Sequence, residues 1–132
     1  MTFVLDTCAI IALLRGESGS EIVESLLVEQ DCIAHAVNLC EFYYDFLRVE
    51  GESVAHEAIS DLKKSGLIFR EDMDFQFWQE AGLYKAKIKK VSLADCFAIS
   101  LTNREHATLV TSDHHEFDYI SQQGICNIMF IR

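Results

Sequence analysis

"TFVLDTCAIIALL", Thr2 to Leu14, is a short run of β-branched and aromatic residues that stops at an aspartate and passes at once into a helix-like apolar segment. The first four residues suit a strand. Asp6 then stands where a helix needs a side-chain acceptor for one of its unpaired N–H groups. A strand feeding directly into a helix is half of a β-α-β unit, so the fold turns on whether the pattern repeats.

It repeats along the chain. "SGSEIVESLLVEQ" carries Ile22, Val23, Leu26 and Leu27 at helical spacing, and "CIAHAV" is a second strand. "NLCEFYYDFLRVEG" places Leu39, Phe42, Tyr43 and Phe46 on one helical face and ends on Gly51. "SVAHEAISDLKKSG" reads as a further helix, with Ser53 as cap and Gly66 as stop. "LIFR" follows as a strand, then helices over "DFQFWQEAGLYKAKIKK" and "SLADCFAISLTNRE", the second capped by Ser92. "ATLVT" as a strand, "SDHHEFDYIS" as a loop running into a short helix, and "NIMFI" as the last strand complete the set. The alternation predicts an α/β sandwich of about five parallel strands with helices on both faces. At 132 residues, with no proline, repeat or linker, residues 1–132 are expected to form one domain.

Half of the residues are hydrophobic, which excludes a disordered tail. "CAIIALL" is too short to span a bilayer and lacks the flanks of a signal peptide, so no membrane association and a cytoplasmic location are expected. Cys8, Cys32, Cys40, Cys96 and Cys126 are odd in number, without C-x-x-C spacing, and lie in apolar surroundings. They read as reduced core thiols, not a zinc site. The formal net charge of −10 argues against a protein that coats nucleic acid, but not against an enzyme that holds it through metal ions.

The acids carry the chemistry. In open α/β sheets, ligands bind beyond the carboxyl ends of the strands. Asp6 follows the first strand and Asp113 the fourth. Glu41 lies early in the helix after the second strand, and Asp95 in the first turn of "SLADCFAISL". Each has a plain structural reading: Asp6 and Asp113 as caps, Asp95 as the acidic third residue of a capping box, Glu41 as a solvated residue with Asp45 exposed one turn on. Taken together they point to one acidic edge. Clustered carboxylates repel one another, which raises their pKa values. A hard divalent cation such as Mg²⁺ or Mn²⁺ removes that cost and can activate water against a phosphodiester.

"FVLDTCAIIALL", "NLCEFYYDF", "SLADCFAISL" and "TLVTSDHHEF" resemble, in order and over essentially the whole chain, the four motif regions of PIN domains, most closely the VapC-type toxin ribonucleases. The resemblance implies a PIN-like three-layer sandwich, Mg²⁺- or Mn²⁺-dependent cleavage of RNA, a homodimer and an antitoxin partner. It carries catalytic and metal-binding roles onto Asp6, Glu41, Asp95 and Asp113. It makes Thr7, Thr111 and Glu116 supporting residues; Cys8 departs from the Ser or Asn usual there, and Asn38, one turn before Glu41, is placed to replace part of the missing hydrogen bond.

Lys85, Lys87, Lys89 and Lys90 crowd just before "SLAD". They read either as a solvated helix end or as a basic rim, with Lys85, Lys89 and Lys90 meeting RNA phosphates. His106, His114 and His115 read as loop histidines in preference to zinc ligands. Two other function classes stand beside the nuclease. An aspartyl phosphatase would need a second acid two residues after Asp6, where Cys8 stands, and a phosphotransfer receiver an acidic pair near the end of "TFVLD" and a lysine after the last strand, where "NIMFIR" ends on arginine. A degenerate PIN fold would serve only as a binding module.

Overall fold

The computed structural model describes residues 1–132. Its elements run β1 (Thr2–Leu5), α1 (Thr7–Arg15), α2 (Ser20–Glu29), β2 (Asp31–His35), α3 (Ala36–Glu50), α4 (Glu52–Lys64), β3 (Ile68–Arg70), α5 (Phe75–Lys87), α6 (Leu93–Arg104), β4 (Thr108–Thr111), α7 (His114–Gln122) and β5 (Asn127–Phe130). The five strands form one sheet, all parallel, in the order β3-β2-β1-β4-β5.

Strand alternation sorts the core into two layers. Phe3, Leu5, Cys32, Ala34 and Val110 pack with Ile10, Phe42, Phe46, Ala55 and Leu62, so α1 to α4 cover one face. Val4 and Ile33 pack with Phe77 and Leu101, and Leu109 packs with Ile99, Phe117 and Ile120, so α5 to α7 cover the other. Each fully buried phenylalanine contributes about 1.5–3 kcal/mol by leaving water, and Phe42, Phe77 and Phe117 fix the two layers. No helix is long and apolar enough to cross a membrane.

Three local expectations need correction. Ser53 does not cap α4. Gly51, at φ +91°, ends α3 and also precedes α4 as its cap without a side-chain bond, which leaves Ser53 inside the first turn. The second strand stops at His35, because the His35 Nδ1 accepts the Val37 N–H and starts α3 there. The cysteines are free thiols but not all core: Cys8 is half-buried and Cys40 is exposed, set half a turn round α3 from the buried Asn38 and Phe42.

Gly19 meets a tight constraint. Its φ is +96°, and a Cβ there would lie 2.6 Å from the Ile131 carbonyl oxygen, so the turn before α2 closes directly onto the backbone after β5.

The strand order reverses between β1 and β4. From β1 the chain moves one way to β2 and β3; β4 and β5 lie on the other side. The Asp6 N–H donates to the Val110 carbonyl at 3.2 Å, which knits the two strand ends together. A ligand crevice belongs at such a reversal, beyond the carboxyl ends.

Candidate active site

Asp6 is the first residue past β1, 1% exposed, and its Oδ1 accepts the Ala9 N–H at 2.8 Å as the cap of α1. Asp113 caps α7, its Oδ1 accepting the Glu116 N–H at 3.1 Å. Asp95 completes a capping box: its N–H donates to Ser92 Oγ at 3.1 Å, and its Oδ2 accepts the Ser92 N–H at 3.4 Å. The cap readings and the site reading therefore hold together. Three helices begin at one edge of the sheet, and the acid that satisfies each helix start is also delivered to that edge.

Thr7, Cys8, Glu41, Ser92, Asp95, Asp113 and Glu116 line a pocket of about 280 Å³. Asp6, Asn38 and Thr111 are buried against it, at 1%, 0% and 0% exposure. Asp45 also lines the pocket and is not a solvated residue. It pairs with Arg15 at 3.0 Å and with Arg48 at 2.9 Å, which removes it from the set of free acids.

Asn38 bridges α1 and α6. Its Nδ2 donates to Thr7 Oγ1 at 3.3 Å and to the Ala94 carbonyl at 3.4 Å, while Thr7 Oγ1 donates to the Asn38 carbonyl at 3.3 Å. The neighbours of Asp6 and Asp95 are thereby tied to the helix that carries Glu41. The Asn38 Oδ1 is buried without a partner. Thr111 Oγ1 accepts the Asp113 N–H at 3.0 Å, and its hydroxyl acts on the Asp6 carboxyl to lower that group's pKa.

The electrostatics follow from this packing. Burial lifts the Asp6 pKa to about 7; the Thr111 and Ala9 hydrogen bonds oppose the rise, and the charges of Asp113 and Glu41 add to it. Burial thus outweighs the mutual repulsion expected from the acids alone. Glu116 is raised as well, first by burial and then by Glu41, with the Ser92 N–H and Lys85 pulling the other way. Burial and the surrounding acids push the Cys8 thiol up to about 12, so it carries no charge near neutrality.

The donors suit a hard divalent ion by chemistry: all are carboxylate oxygens, and Asp95 and Asp113 each use one oxygen for capping and leave the other without a hydrogen bond. As the side chains lie, no three His, Cys, Asp or Glu groups stand close enough to hold one ion, so an ion here would take one or two of the carboxylates and fill the rest of its shell with water. The histidines do not assemble either. His106 lies in the turn after α6, and His114 is held by Asp118 Oδ1 at 2.8 Å and by the Arg132 carbonyl at 2.7 Å.

The basic run divides. Lys85 Nζ turns back to donate to the Val91 carbonyl at 2.8 Å and to the Lys89 carbonyl at 3.4 Å, so it shapes the α5–α6 loop. Lys87, Lys89 and Lys90 line a second cleft, which shares Glu116 with the acidic pocket.

Two features escaped the sequence. His35 is fully buried and stacks on Phe77 and Phe97 at 5.0 and 5.3 Å between ring centroids, its Nε2 donating to the Asp72 carbonyl at 2.8 Å. Arg70 and Arg104 share Asp72, with Glu105 on Arg70 and Asp74 on Arg104, although these residues are up to 35 positions apart. A lone histidine in a strand and scattered charges give no periodic signal that would announce either.

Residues 3–122 match the model of the PIN domain, and the chain belongs to that family. Its fold is similar to that of the VapBC2 complex of Rickettsia felis bound to a DNA fragment from its promoter, with TM-score 0.76, 17% identity and 98% of each chain covered. It is similar to DNA-bound VapBC from Salmonella typhimurium, with TM-score 0.75, 15% identity, and 100% and 99% of the two chains covered. It is also similar to VapC20 of Mycobacterium tuberculosis, a toxin that cleaves the sarcin-ricin loop, with TM-score 0.72, 14% identity, and 89% and 94% covered. No curated protein matches the sequence.

Proposed function

We propose that residues 1–132 form a single endoribonuclease domain that hydrolyses RNA phosphodiesters with a divalent metal ion, Mg²⁺ or Mn²⁺, and acts in the cytoplasm as the toxin of a toxin–antitoxin pair. Membership of the PIN family and the likeness of fold to VapC20 and to VapBC complexes support the class. The observation that carries the reading is Glu41. Its side chain lines the acidic pocket, caps no helix and makes no hydrogen bond or ion pair, so its carboxylate is free to take a ligand.

In this reading Asp6, Glu41, Asp95 and Asp113 would hold the metal. The bound ion would supply an activated water and offset charge on the phosphodiester. The chain's own residues set the stage. The Ala9 N–H holds the Asp6 carboxyl in place, Thr111 lowers its pKa, and Asn38 ties Thr7 to the start of α6. Glu116 stands beside them as an accessory acid. Lys89 and Lys90 meet RNA phosphates, and Lys85 holds the loop that presents them. A homodimer and an antitoxin protein complete the proposed assembly.

The test is cleavage of single-stranded and loop RNA by the purified chain, freed of any partner. Cutting should require Mg²⁺ or Mn²⁺ and stop in chelator, and Glu41→Gln should abolish it while the fold survives. Wild-type protein inert with both metals across diverse RNAs would replace the enzyme with a PIN-fold binding module.

A further inference from the structure

The chain carries a formal charge of −10 and only 11 basic residues, so where its free cations lie is informative. All five arginines are committed: Arg15 and Arg48 to Asp45, Arg70 and Arg104 to Asp72, Arg132 to Glu17. Lys85 is spent on backbone carbonyls. That leaves five lysines without an ion pair. Lys63 and Lys64 end α4. The other three, Lys87, Lys89 and Lys90, border one cleft of about 470 Å³ between the α5–α6 loop and α7.

The opposite wall of that cleft is α7: His114, His115, Tyr119 and Gln122, with two acids, Glu116 at the boundary to the acidic pocket and Asp118, whose Oδ1 is engaged by His114 Nδ1 at 2.8 Å. Tyr119 is 52% exposed, so about half of it is open to a ligand. His114 stacks on Phe130 with ring centroids 4.0 Å apart and is hydrogen-bonded at both ring nitrogens, which pins the first turn of α7. An anion-attracting side facing an aromatic side, large enough for one nucleotide and continuous with a carboxylate pocket, is the pattern by which proteins hold unpaired nucleotides: lysines on the phosphate, a ring against the base.

We infer that this cleft is a nucleotide subsite of the RNA strand, in which an unstacked base next to the cleaved phosphodiester lies against Tyr119 while Lys89 and Lys90 hold its phosphate. The inference rests on RNA being the substrate. It adds that the strand is read on one side of the cut and in single-stranded form, since a paired base could not enter.

Binding of a fluorescent single-stranded RNA oligonucleotide to the full chain in chelator separates recognition from cleavage. Tyr119→Ala should weaken binding by about tenfold or more, and Tyr119→Phe, which keeps the ring, should restore it to within about twofold. Lys89→Ala with Lys90→Ala should weaken binding and flatten its salt dependence by about one to two units of slope. Lys63→Ala with Lys64→Ala removes the same charge elsewhere and should do neither. RNA containing 4-thiouridine should photocrosslink to α7 at or beside Tyr119. A wild-type chain that cuts RNA while the Tyr119 and Lys89/Lys90 variants bind like it would overturn the subsite alone. A wild-type chain that neither binds nor cuts RNA would remove the subsite and the ribonuclease reading together. Equal losses from the Lys63/Lys64 and Lys89/Lys90 pairs would reduce the cleft to general charge attraction and overturn the subsite.

Discussion

Ser92 and Asp95 satisfy each other's backbone: each N–H donates to the other's side chain, at 3.4 and 3.1 Å, across the first turn of α6. The pair gives a way to separate folding from chemistry at one position. Ser92→Ala removes the cap acceptor and should cost about 1 kcal/mol of stability, with far less effect on RNA cleavage. Asp95→Asn keeps an oxygen for the Ser92 N–H but removes the charge, and should nearly abolish cleavage with little change in melting temperature. Denaturant unfolding and a cleavage assay on both variants check this. An Asp95→Asn chain that cuts as fast as wild type removes Asp95 from the site.

Asp6 makes the metal-free protein sensitive to pH. Its folded pKa, about 7, lies above the ordinary 3.8, so the folded state holds this proton more tightly than the unfolded state. The penalty for ionising it is absent below pH 3.8, grows as pH rises toward 7, and is constant above. Its size is on the order of 4 kcal/mol at most. Asp6→Asn, which keeps the acceptor for the Ala9 N–H, should match wild type near pH 4 and be clearly more stable at pH 8 in chelator. Urea midpoints at the two pH values test it, and equal midpoints at pH 8 would show that burial costs Asp6 nothing.

Divalent metal should offset that penalty. At ten times its dissociation constant an ion adds about 1.4 kcal/mol, a rise of roughly 3–8 °C in melting temperature for a domain of this size. Because binding must displace the Asp6 proton, apparent affinity should fall as pH drops below 7. Thermal shifts with Mg²⁺ and Mn²⁺, with Asp6→Asn plus Asp95→Asn as control, measure both effects. An equal shift in the control would place the ions elsewhere.

His35 has the opposite sign. Burial lowers its pKa from the usual 6.5 against the pull of the Asp72 carbonyl, so the unfolded chain binds the proton more readily. Stability is present above pH 6.5 and is lost as pH falls below it. His35→Asn, which retains a cap acceptor for the Val37 N–H, should flatten the stability profile between pH 6.5 and 5. A profile unchanged by the substitution would assign the acid sensitivity to another group.

Most of the fold was legible because it is written in local patterns. The run from Thr2 to Leu14 becomes β1, its Asp6 cap and α1 as read, and the same grammar places the other strands. The four acids were legible as positions at one sheet edge. The errors came where a residue's role depends on a partner distant in sequence. Asp45 looks solvated until Arg15, on another helix, is seen beside it. Lys85 looks like one more free cation until the loop folds back under it. The cleft beside α7 joins residues 87–90 to residues 114–122, and no periodicity links two walls that far apart. Ser53 failed for a local reason, since Gly51 can both end one helix and precede the next.

Capping has a consequence for reading relatives of this chain. Asp6, Asp95 and Asp113 each start a helix, so selection for a stable fold is enough to preserve them after cleavage has been lost. Glu41 has no such second employment. On the proposed ribonuclease reading, the first three acids can outlive the activity among descendants of a common ancestor, whereas position 41 is free to drift once the chemistry is no longer needed. The acid that does least for the structure is therefore the better clock for when a lineage stopped cutting.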